Sequence, residues 1–135
     1  MATVKATLTL SSSDVLSSPL SIAVSASLSV DSGSLIRAKV KGTAADTDDL
    51  LLYKADDKLV RAYLYVKNLD ATLENYIYVR NESESNDAAC AKIGGGEFAF
   101  IPVAVDQTYE AIATTTNTLI EYGVFGNDNS GVSLS

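Results

Sequence analysis

Residues 20–30 alternate strictly between two kinds of side chain: each even position is apolar, and each odd position is serine or alanine. A period of two places these two sets on opposite faces of an extended strand. The same alternation appears in residues 3–10 and again in residues 36–41, where the outward residues are basic. We therefore expect three early strands, each with one face in contact with water.

Further along the chain, short runs rich in β-branched and aromatic residues alternate with clusters of turn-forming residues. These runs cover residues 49–54, 60–67, 75–80, 97–104, 109–116 and 118–125. The sequence predicts an all-β fold, an antiparallel β-sandwich of jelly-roll-like type with about eight or nine strands. We expect a single domain over residues 1–135.

Two short segments between these runs are interpreted as connections. The alanine-rich residues 87–92 are expected to form a loop or a single turn, because they are too few for a stable helix. The three glycines at residues 94–96 predict a tight connection before a strand.

The apolar positions of the alternating runs predict the core. We expect the following side chains to be largely buried: Val4, Leu8, Ile22, Val24, Leu28, Ile36, Val40, Leu64, Val66, Ile77, Val79, Ile101, Val103 and Ile120.

The charge of the chain excludes some classes of partner. Among 135 residues, 17 are acidic and 10 are basic, which gives a net charge of −7. Such a chain repels phosphate groups, so we predict no nucleic-acid partner. No apolar run approaches the roughly twenty residues of a membrane helix, and no apolar signal segment follows Met1. We therefore predict no membrane contact and a mature chain that begins at Met1 in an aqueous compartment.

Reactive side chains are scarce in this sequence. There is no histidine and one cysteine, Cys90, which excludes a histidine-based nucleophile triad, a zinc site of the usual kind and an internal disulfide. Cys90 is expected to be a small apolar residue, buried or half-buried. Glu97, Glu110 and Glu121 lie in or beside strands, where carboxylates usually point into water. We predict that the protein is not an enzyme and has no catalytic residue and no cofactor.

Three acidic clusters carry oxygen atoms of the kind that calcium binds, at residues 46–49, 82–87 and 127–129. None has the spacing and the glycine of a calcium-binding loop, and solvated loop charge is the simpler interpretation. No metal site is predicted, and calcium binding by these loops is left open.

Tyrosines mark a candidate interface. Tyr63 and Tyr65 share one strand face, while the aliphatic residues between them take the other, and Tyr76 and Tyr78 alternate in the same way with Ile77. Aromatic and arginine side chains are enriched where proteins meet. We predict a tyrosine patch over part of one sheet, made of Tyr63, Tyr65, Tyr76 and Tyr78 with Arg61, Lys67 and Arg80 at its flanks. The alternatives are that one pair packs beneath a loop, or that the core lies on the tyrosine side.

A second candidate interface is basic. Arg37, Lys39 and Lys41 share one face of their strand, and Lys5 lies on the first strand. They are expected either to meet an acidic partner surface or to protect strand edges from aggregation. The sequence does not decide between these two roles.

Five segments of the second half resemble small all-β virion proteins of tailed bacteriophages. They are residues 61–70, 75–79, 96–103, 109–113 and 119–125. Such proteins place Lys-Asn and a turn after one strand, Gly-Glu-Phe before another, and Glu-Tyr in the closing strand. The resemblance covers about residues 60–125, and the serine- and threonine-rich N-terminal third has no place in it.

The resemblance implies a structural component of a virus particle, with no catalytic residues to carry over. Its most favoured form is an oligomeric capsid decoration, or cement, protein on the outside of a phage head, with a trimer as the first guess. The implied partners are further copies of this chain and the major capsid protein or other virion proteins. The implied location is the virion, assembled in the host cytoplasm. The alternatives are a carbohydrate-binding or host-recognition module of a virion, in which the four tyrosines stack on sugar rings, and a tail or collar adaptor.

Overall fold

Ten strands and no helix form among the residues that the structure describes. The structure is a computed structural model, and it describes residues 2–42, 50–56, 58–81, 89–113 and 117–128. In chain order the strands are β1 (Ala2–Ser12), β2 (Leu20–Val30), β3 (Ser32–Val40), β4 (Leu50–Tyr53), β5 (Arg61–Asn68), β6 (Ile77–Asn81), β7 (Ala91–Ile93), β8 (Phe98–Val103), β9 (Tyr109–Ala113) and β10 (Thr118–Asn127). All their pairings are antiparallel, which confirms the predicted all-β, antiparallel class, with ten strands among the described residues where eight or nine were expected.

One strand has no counterpart in the predicted set. The described end of the alanine-rich run was expected to be loop or turn, and it is instead the edge strand β7. Its backbone pairs with β6 through Ile93 opposite Ile77 and Ala91 opposite Val79. Three residues are too few to show an alternating pattern, so the sequence gives no sign of this strand.

The eight strands β3 to β10 pair in a nested order. β6 pairs with β7, β5 with β8, β4 with β9, and β3 with β10. Two further pairings, β10 with β5 and β9 with β6, join them into the sheets β3-β10-β5-β8 and β4-β9-β6-β7. The chain therefore follows the path of one long hairpin that is rolled up into two sheets.

The two sheets pack face to face around one apolar core. Inward-facing side chains of both sheets form it, and the fully buried members include Leu64, Ile77, Val79 and Ile120. On β5 the aliphatic residues point inward, with Leu64 and Val66 fully buried, so the core lies opposite the tyrosine side of that strand.

The predicted core is confirmed in the sandwich and wrong at the N-terminus. The six expected side chains that are fully buried are Val40, Leu64, Val66, Ile77, Val79 and Ile120. Val4, Leu28, Ile101 and Val103 are half-buried. Leu8, Ile22, Val24 and Ile36 are exposed, at 43%, 39%, 54% and 44%. Ile36 lies on an edge strand, and the other three lie on a hairpin that the sandwich does not cover.

That hairpin, made of β1 and β2 and called the arm below, stands apart from both sheets. Its register pairs Val4 with Leu28, Leu8 with Val24 and Leu10 with Ile22. Residues directly opposite each other share a face, so one face of the arm is apolar throughout and the other carries serine and threonine. The connection between β1 and β2 (the tip of the arm, residues 13–19) is held by Ser12, whose Oγ accepts hydrogen bonds from the backbone N–H groups of Asp14 and Val15 at 3.3 and 3.2 Å.

The base of the arm is fixed to the end of β10. The backbone N–H of Asp31 donates to the carbonyl of Gly126 at 2.8 Å, and the side-chain amide of Asn127 donates to the carbonyl of Ser29 at 3.0 Å. The backbone N–H of Asp128 donates to the Asp31 carboxylate at 3.0 Å, and Val30 is buried. These contacts set the direction in which the arm leaves the sandwich.

A glycine turn closes the β7–β8 connection, as predicted. Gly96 has a φ of 86°, which other residues rarely adopt. A Cβ on Gly95 would lie 2.3 Å from the carbonyl oxygen of Thr72. The turn therefore needs glycine at both positions, one for its backbone angle and one for close approach to the β5–β6 connection.

Candidate docking surface

The outer face of the sheet β3-β10-β5-β8 is rich in aromatic side chains. Register places Phe100 beside Tyr65 and Pro102 beside Tyr63 on neighbouring strands, with all four side chains pointing away from the core. Tyr63 and Phe100 stack with ring centroids 5.8 Å apart and planes 4° from parallel. The aromatic face, as we call this surface, comprises Tyr63, Tyr65, Phe98, Phe100, Phe125 and Leu35.

A hydrogen-bonded charge network crosses this aromatic face. The carboxylate of Glu121 accepts a hydrogen bond from Nε of Arg37 at 3.1 Å and another from the hydroxyl of Tyr65 at 3.1 Å. The bond from Arg37, followed by that from Tyr65, holds the pKa of Glu121 below its ordinary value. Burial, followed by the bond to Glu121, raises the pKa of the Tyr65 phenol. The network ties β3, β10 and β5 together on their outer side.

A groove separates the aromatic face from the arm. It has a volume of about 740 Å³. On the arm side Val4, Leu8 and Val24 line it, and on the sheet side Phe98 and Phe125 do. Well-packed proteins contain few voids larger than one water molecule, and this groove has room for roughly 25 waters. Apolar side chains of the arm and of the sheet thus line the two sides of one open groove.

The uncovered apolar side chains concentrate on these two surfaces. Among the large hydrophobic residues that are exposed, six belong to the arm and its tip, namely Leu8, Leu10, Val15, Leu16, Ile22 and Val24. Three more lie on the outer side of the sheet that carries the aromatic face, namely Leu35, Phe98 and Leu119. Phe98 and Leu35 are 63% and 62% exposed, and at the tip Val15 is equally exposed at 63%. Clustered exposure of this kind is typical of surfaces that bind another protein, a ligand or a membrane.

The structure does not bring the four predicted tyrosines together. Tyr63 and Tyr65 lie on β5, and Tyr78 lies on β6, which belongs to the other sheet, with Tyr76 just before it. The two pairs therefore lie on opposite sides of the sandwich, and the prediction of one patch on one sheet is wrong. The error arises because an alternating pattern shows which residues share a strand face but not which strands share a sheet.

The second tyrosine pair is accompanied by a lysine. Nζ of Lys92 lies 4.2 Å from the ring centroid of Tyr76 and 5.9 Å from that of Tyr78. A cation over a ring face is attracted by the ring electrons. Both rings are half-buried, as Tyr63 and Tyr65 are, but among the described residues none of the exposed large hydrophobic side chains lies beside this pair in the way that Phe98 lies beside Tyr65.

The flanking cations occupy different places. Arg61 and Lys67 lie on the outer side of β5, as expected. Arg80 was predicted as an exposed flank, but it is 5% exposed, and its Nε and Nη2 both lie 3.1 Å from Oε1 of Glu110 on the neighbouring strand. Arg80 therefore serves an internal ion pair, and its proposed place in an exposed patch is wrong.

The basic strip is partly assembled. Arg37 and Lys39 lie on the outer side of β3, Lys41 follows the end of that strand, and Lys5 lines the groove from the arm. Arg37 forms an ion pair with Glu121, although its side chain is 67% exposed. Two roles of the strip stay predictions: contact with an acidic partner surface, and protection of the β3 edge.

The candidate reactive groups lie far from one another in the topology. Glu121 lies on the aromatic face, Glu110 on the outer side of the other sheet, and Glu97 bonds through Oε1 to the backbone N–H of Gly94 at 2.7 Å. Cys90 is exposed rather than buried, because it lies at the start of an edge strand, and its thiol donates to the carbonyl of Val79 at 3.3 Å.

The acidic clusters at 46–49 and 82–87 lie outside the described residues. Of the third cluster, Asp128 is described and lies beside Asp31. A hydrogen bond to Asp128 is the main reason why the pKa of Asp31 is raised. In the part of the chain that the structure describes, no three His, Cys, Asp or Glu side chains gather closely enough to hold a metal ion.

Sequence reasoning missed the phenylalanines of the surface. Phe98 and Phe100 alternate with Ala99 and Ile101, and this alternation was a usable signal that both rings share the outer side. Phe125 gave no such signal, because its partners across the sheet are Tyr63 on β5 and Gly33 on β3, far away in sequence.

Comparison with known proteins adds no relative. No protein-family model matches the sequence, and no curated protein is significantly similar to it. The described residues contain no helix of sufficient length and apolarity to cross a membrane.

Proposed function

We propose that this protein is a non-enzymatic structural component of a virion, and that it acts as an oligomeric capsid decoration protein on the outer surface of a phage head. Its partners in this proposal are further copies of the chain and the major capsid protein. In this proposal the protein acts by binding other proteins through the arm, the groove and the aromatic face.

The observation that carries the proposal is the group of large apolar side chains that the described chain leaves exposed on the arm and on the outer side of the sheet β3-β10-β5-β8. Soluble single-chain proteins rarely leave large continuous apolar surfaces in water, because each exposed apolar side chain forgoes roughly 1.5–3 kcal/mol of burial free energy. Val24 on the arm and Phe98 on the sheet are both more than half exposed. A second protein surface is the simplest cover for both.

The strand order supports a jelly-roll architecture. A jelly roll is an eight-stranded double sheet built from Greek-key connections, and virus capsid proteins use it repeatedly. The nested pairing of β3 to β10 has the order that results when one long hairpin is rolled into two sheets. The resemblance of residues 60–125 to phage virion proteins points to the same class.

Charge is compatible with a position outside the capsid shell. A net charge of −7 keeps the protein away from packaged DNA. Arg37 and Lys39 lie on the outer side of β3, where they can face an acidic shell surface. Electrostatic complementarity of this kind directs docking more than it adds affinity.

A carbohydrate-binding module is the second candidate, and the groove is the observation that favours it. Sugar-binding sites combine ring faces with a few fixed polar groups. The groove offers Tyr65, Phe100 and the Glu121 carboxylate. Lectin domains also use the jelly roll.

Sedimentation with capsid shells separates the two candidates. Purified protein is mixed with emptied phage shells assembled without it, and the same preparation is applied to a glycan array. Decoration predicts that the protein sediments with the shells and binds no glycan. Glycan binding without retention on shells would favour the carbohydrate module, and retention only on tails or collars would favour the adaptor.

A further inference from the structure

The tip of the arm reaches beyond the chain's own groove. The arm residues that line the groove end at Leu8 and Val24, and Leu10 and Ile22 lie further out. Four more residues of β1 follow Leu8. At about 3.3 Å per residue, the arm continues roughly 13 Å past its groove-lining part. The tip is therefore placed to meet another molecule.

The tip itself is apolar and ordered by local hydrogen bonds. Val15 and Leu16 are 63% and 56% exposed, although they lie in a turn, where polar residues are the usual choice. The Oγ atom of Ser12 binds the backbone N–H groups of Asp14 and Val15. The turn thus presents two apolar side chains outward with an acidic residue beside them.

The groove has properties that match those of the tip. It is open to solvent, and it is lined mainly by apolar side chains such as Leu8, Phe98 and Phe125. The hydrogen bonds at the base of the arm fix the arm's direction. In this arrangement the arm and the sheet leave the groove between them unfilled.

We propose that the tip of the arm of one copy inserts into the groove of a second copy, with Val15 and Leu16 against Phe98. The donor and acceptor surfaces differ, so the contact is head-to-tail. Head-to-tail contacts close into rings when the rotation between copies allows it. A trimeric ring agrees with the first guess made from the sequence.

This inference deepens the proposed function and rests on it only for the claim that the protein self-associates. A small ligand in the groove would leave Leu10, Ile22 and the tip exposed. A second copy covers the groove and the tip through one kind of contact. Other copies of the chain then cover both the arm and the aromatic face.

Cross-linking between differently labelled chains tests the contact. In a Cys90→Ser background, the Leu16→Cys chain and the Phe98→Cys chain are unfolded together, refolded and oxidised. A disulfide between the two different chains, identified by mass, is expected. Self-association without that mixed disulfide would overturn the proposal, and so would a protein that stays monomeric at all concentrations.

A tip variant provides the second test. Val15→Ser with Leu16→Ser should weaken self-association at least about tenfold, since it removes the central apolar contact while leaving the sandwich intact. Leu73→Ser is the matched control, because Leu73 is another exposed leucine in a connection, at 50% exposure, and it should leave association unchanged. Equal association of the tip variant and the wild type would contradict the inference.

The two proposals can fail separately. If the ring forms and capsid shells do not retain it, the decoration function fails and the inference stands. If shells retain a protein whose chains do not cross-link, the inference fails and the function stands.

Discussion

Asn68 shows how much one polar side chain can hold together inside an apolar core. It is fully buried at the end of β5. Its amide nitrogen donates to the carbonyls of Asn75 and Ile93 at 2.8 and 2.9 Å, and its Oδ1 accepts from the backbone N–H of Asp70 at 2.9 Å. One side chain thus joins the β5–β6 connection to the end of β7.

We expect Asn68→Ala to lower the free energy of unfolding by about 2–4 kcal/mol, because two buried carbonyls lose their donors. Asn75→Ala is the control. It removes one bond, from its side chain to Asp70 in a half-buried position, and should lower the free energy by about 1 kcal/mol or less. Urea unfolding at fixed protein concentration measures both values. An Asn68→Ala protein as stable as the wild type would contradict this role.

The Arg80–Glu110 pair makes a second residue-level prediction. Both side chains are nearly buried, at 6% and 13% exposure, so removing Arg80 takes a close positive charge away from a carboxylate that has little contact with water. Arg80→Met should lower the free energy of unfolding by about 3 kcal/mol. The double variant Arg80→Met with Glu110→Leu should recover most of that loss, as measured by a double-mutant cycle. Additive losses in the double variant would show that the pair does not act as a unit.

At the level of elements, period-two alternation predicts strands well and their surroundings poorly. Residues 20–30 do form β2, and residues 60–67 correspond to β5. The apolar side of β5 is core, whereas much of the apolar side of β2 is exposed. The pattern specifies that the apolar side of the strand avoids water. It does not specify whether another sheet of the same chain or a second chain covers that side.

The Glu121 network joins three strands and makes a pH prediction. The pKa of Glu121 is lowered in the folded protein, so its contribution to stability is present above the ordinary value of 4.5 and is lost as pH falls through the lower folded value. Glu121→Gln should therefore be less stable than the wild type at pH 7, and this difference should shrink below pH 4.5.

Thermal unfolding at pH 7 and pH 3, with Glu74→Gln as an exposed control, measures that difference. Asp31 acts in the opposite direction, because its pKa is raised beside Asp128, but it contributes equally to wild type and variant. A gap between Glu121→Gln and wild type that stays constant with pH would contradict the network's role.

At the level of the whole molecule, the fold class and the sandwich core follow from the sequence, and the assembly of the surface does not. Alternation shows that Leu64 and Val66 share a side, and their aliphatic character made that side the favoured core, which the structure confirms. Placing Tyr65 next to Phe100 requires knowing that β5 pairs with β8, and no local pattern encodes that pairing. Burial of Arg80 also depends on such a pairing, with Glu110 on β9.

The arm is the part where sequence reasoning and structure differ most. Its alternation predicts burial for Leu8, Ile22 and Val24, and the described chain leaves all three exposed. The prediction of burial is therefore wrong for the single chain. The proposed insertion of the arm of one copy into the groove of another would cover part of this apolar side.

Sedimentation equilibrium of the unmodified protein over a wide concentration range tests the central claim most directly. The account predicts a species whose mass is a whole multiple of one chain, with three chains as the first expectation. A mass of one chain at every concentration up to the solubility limit would contradict it, because no second copy would then cover the tip of the arm and the groove.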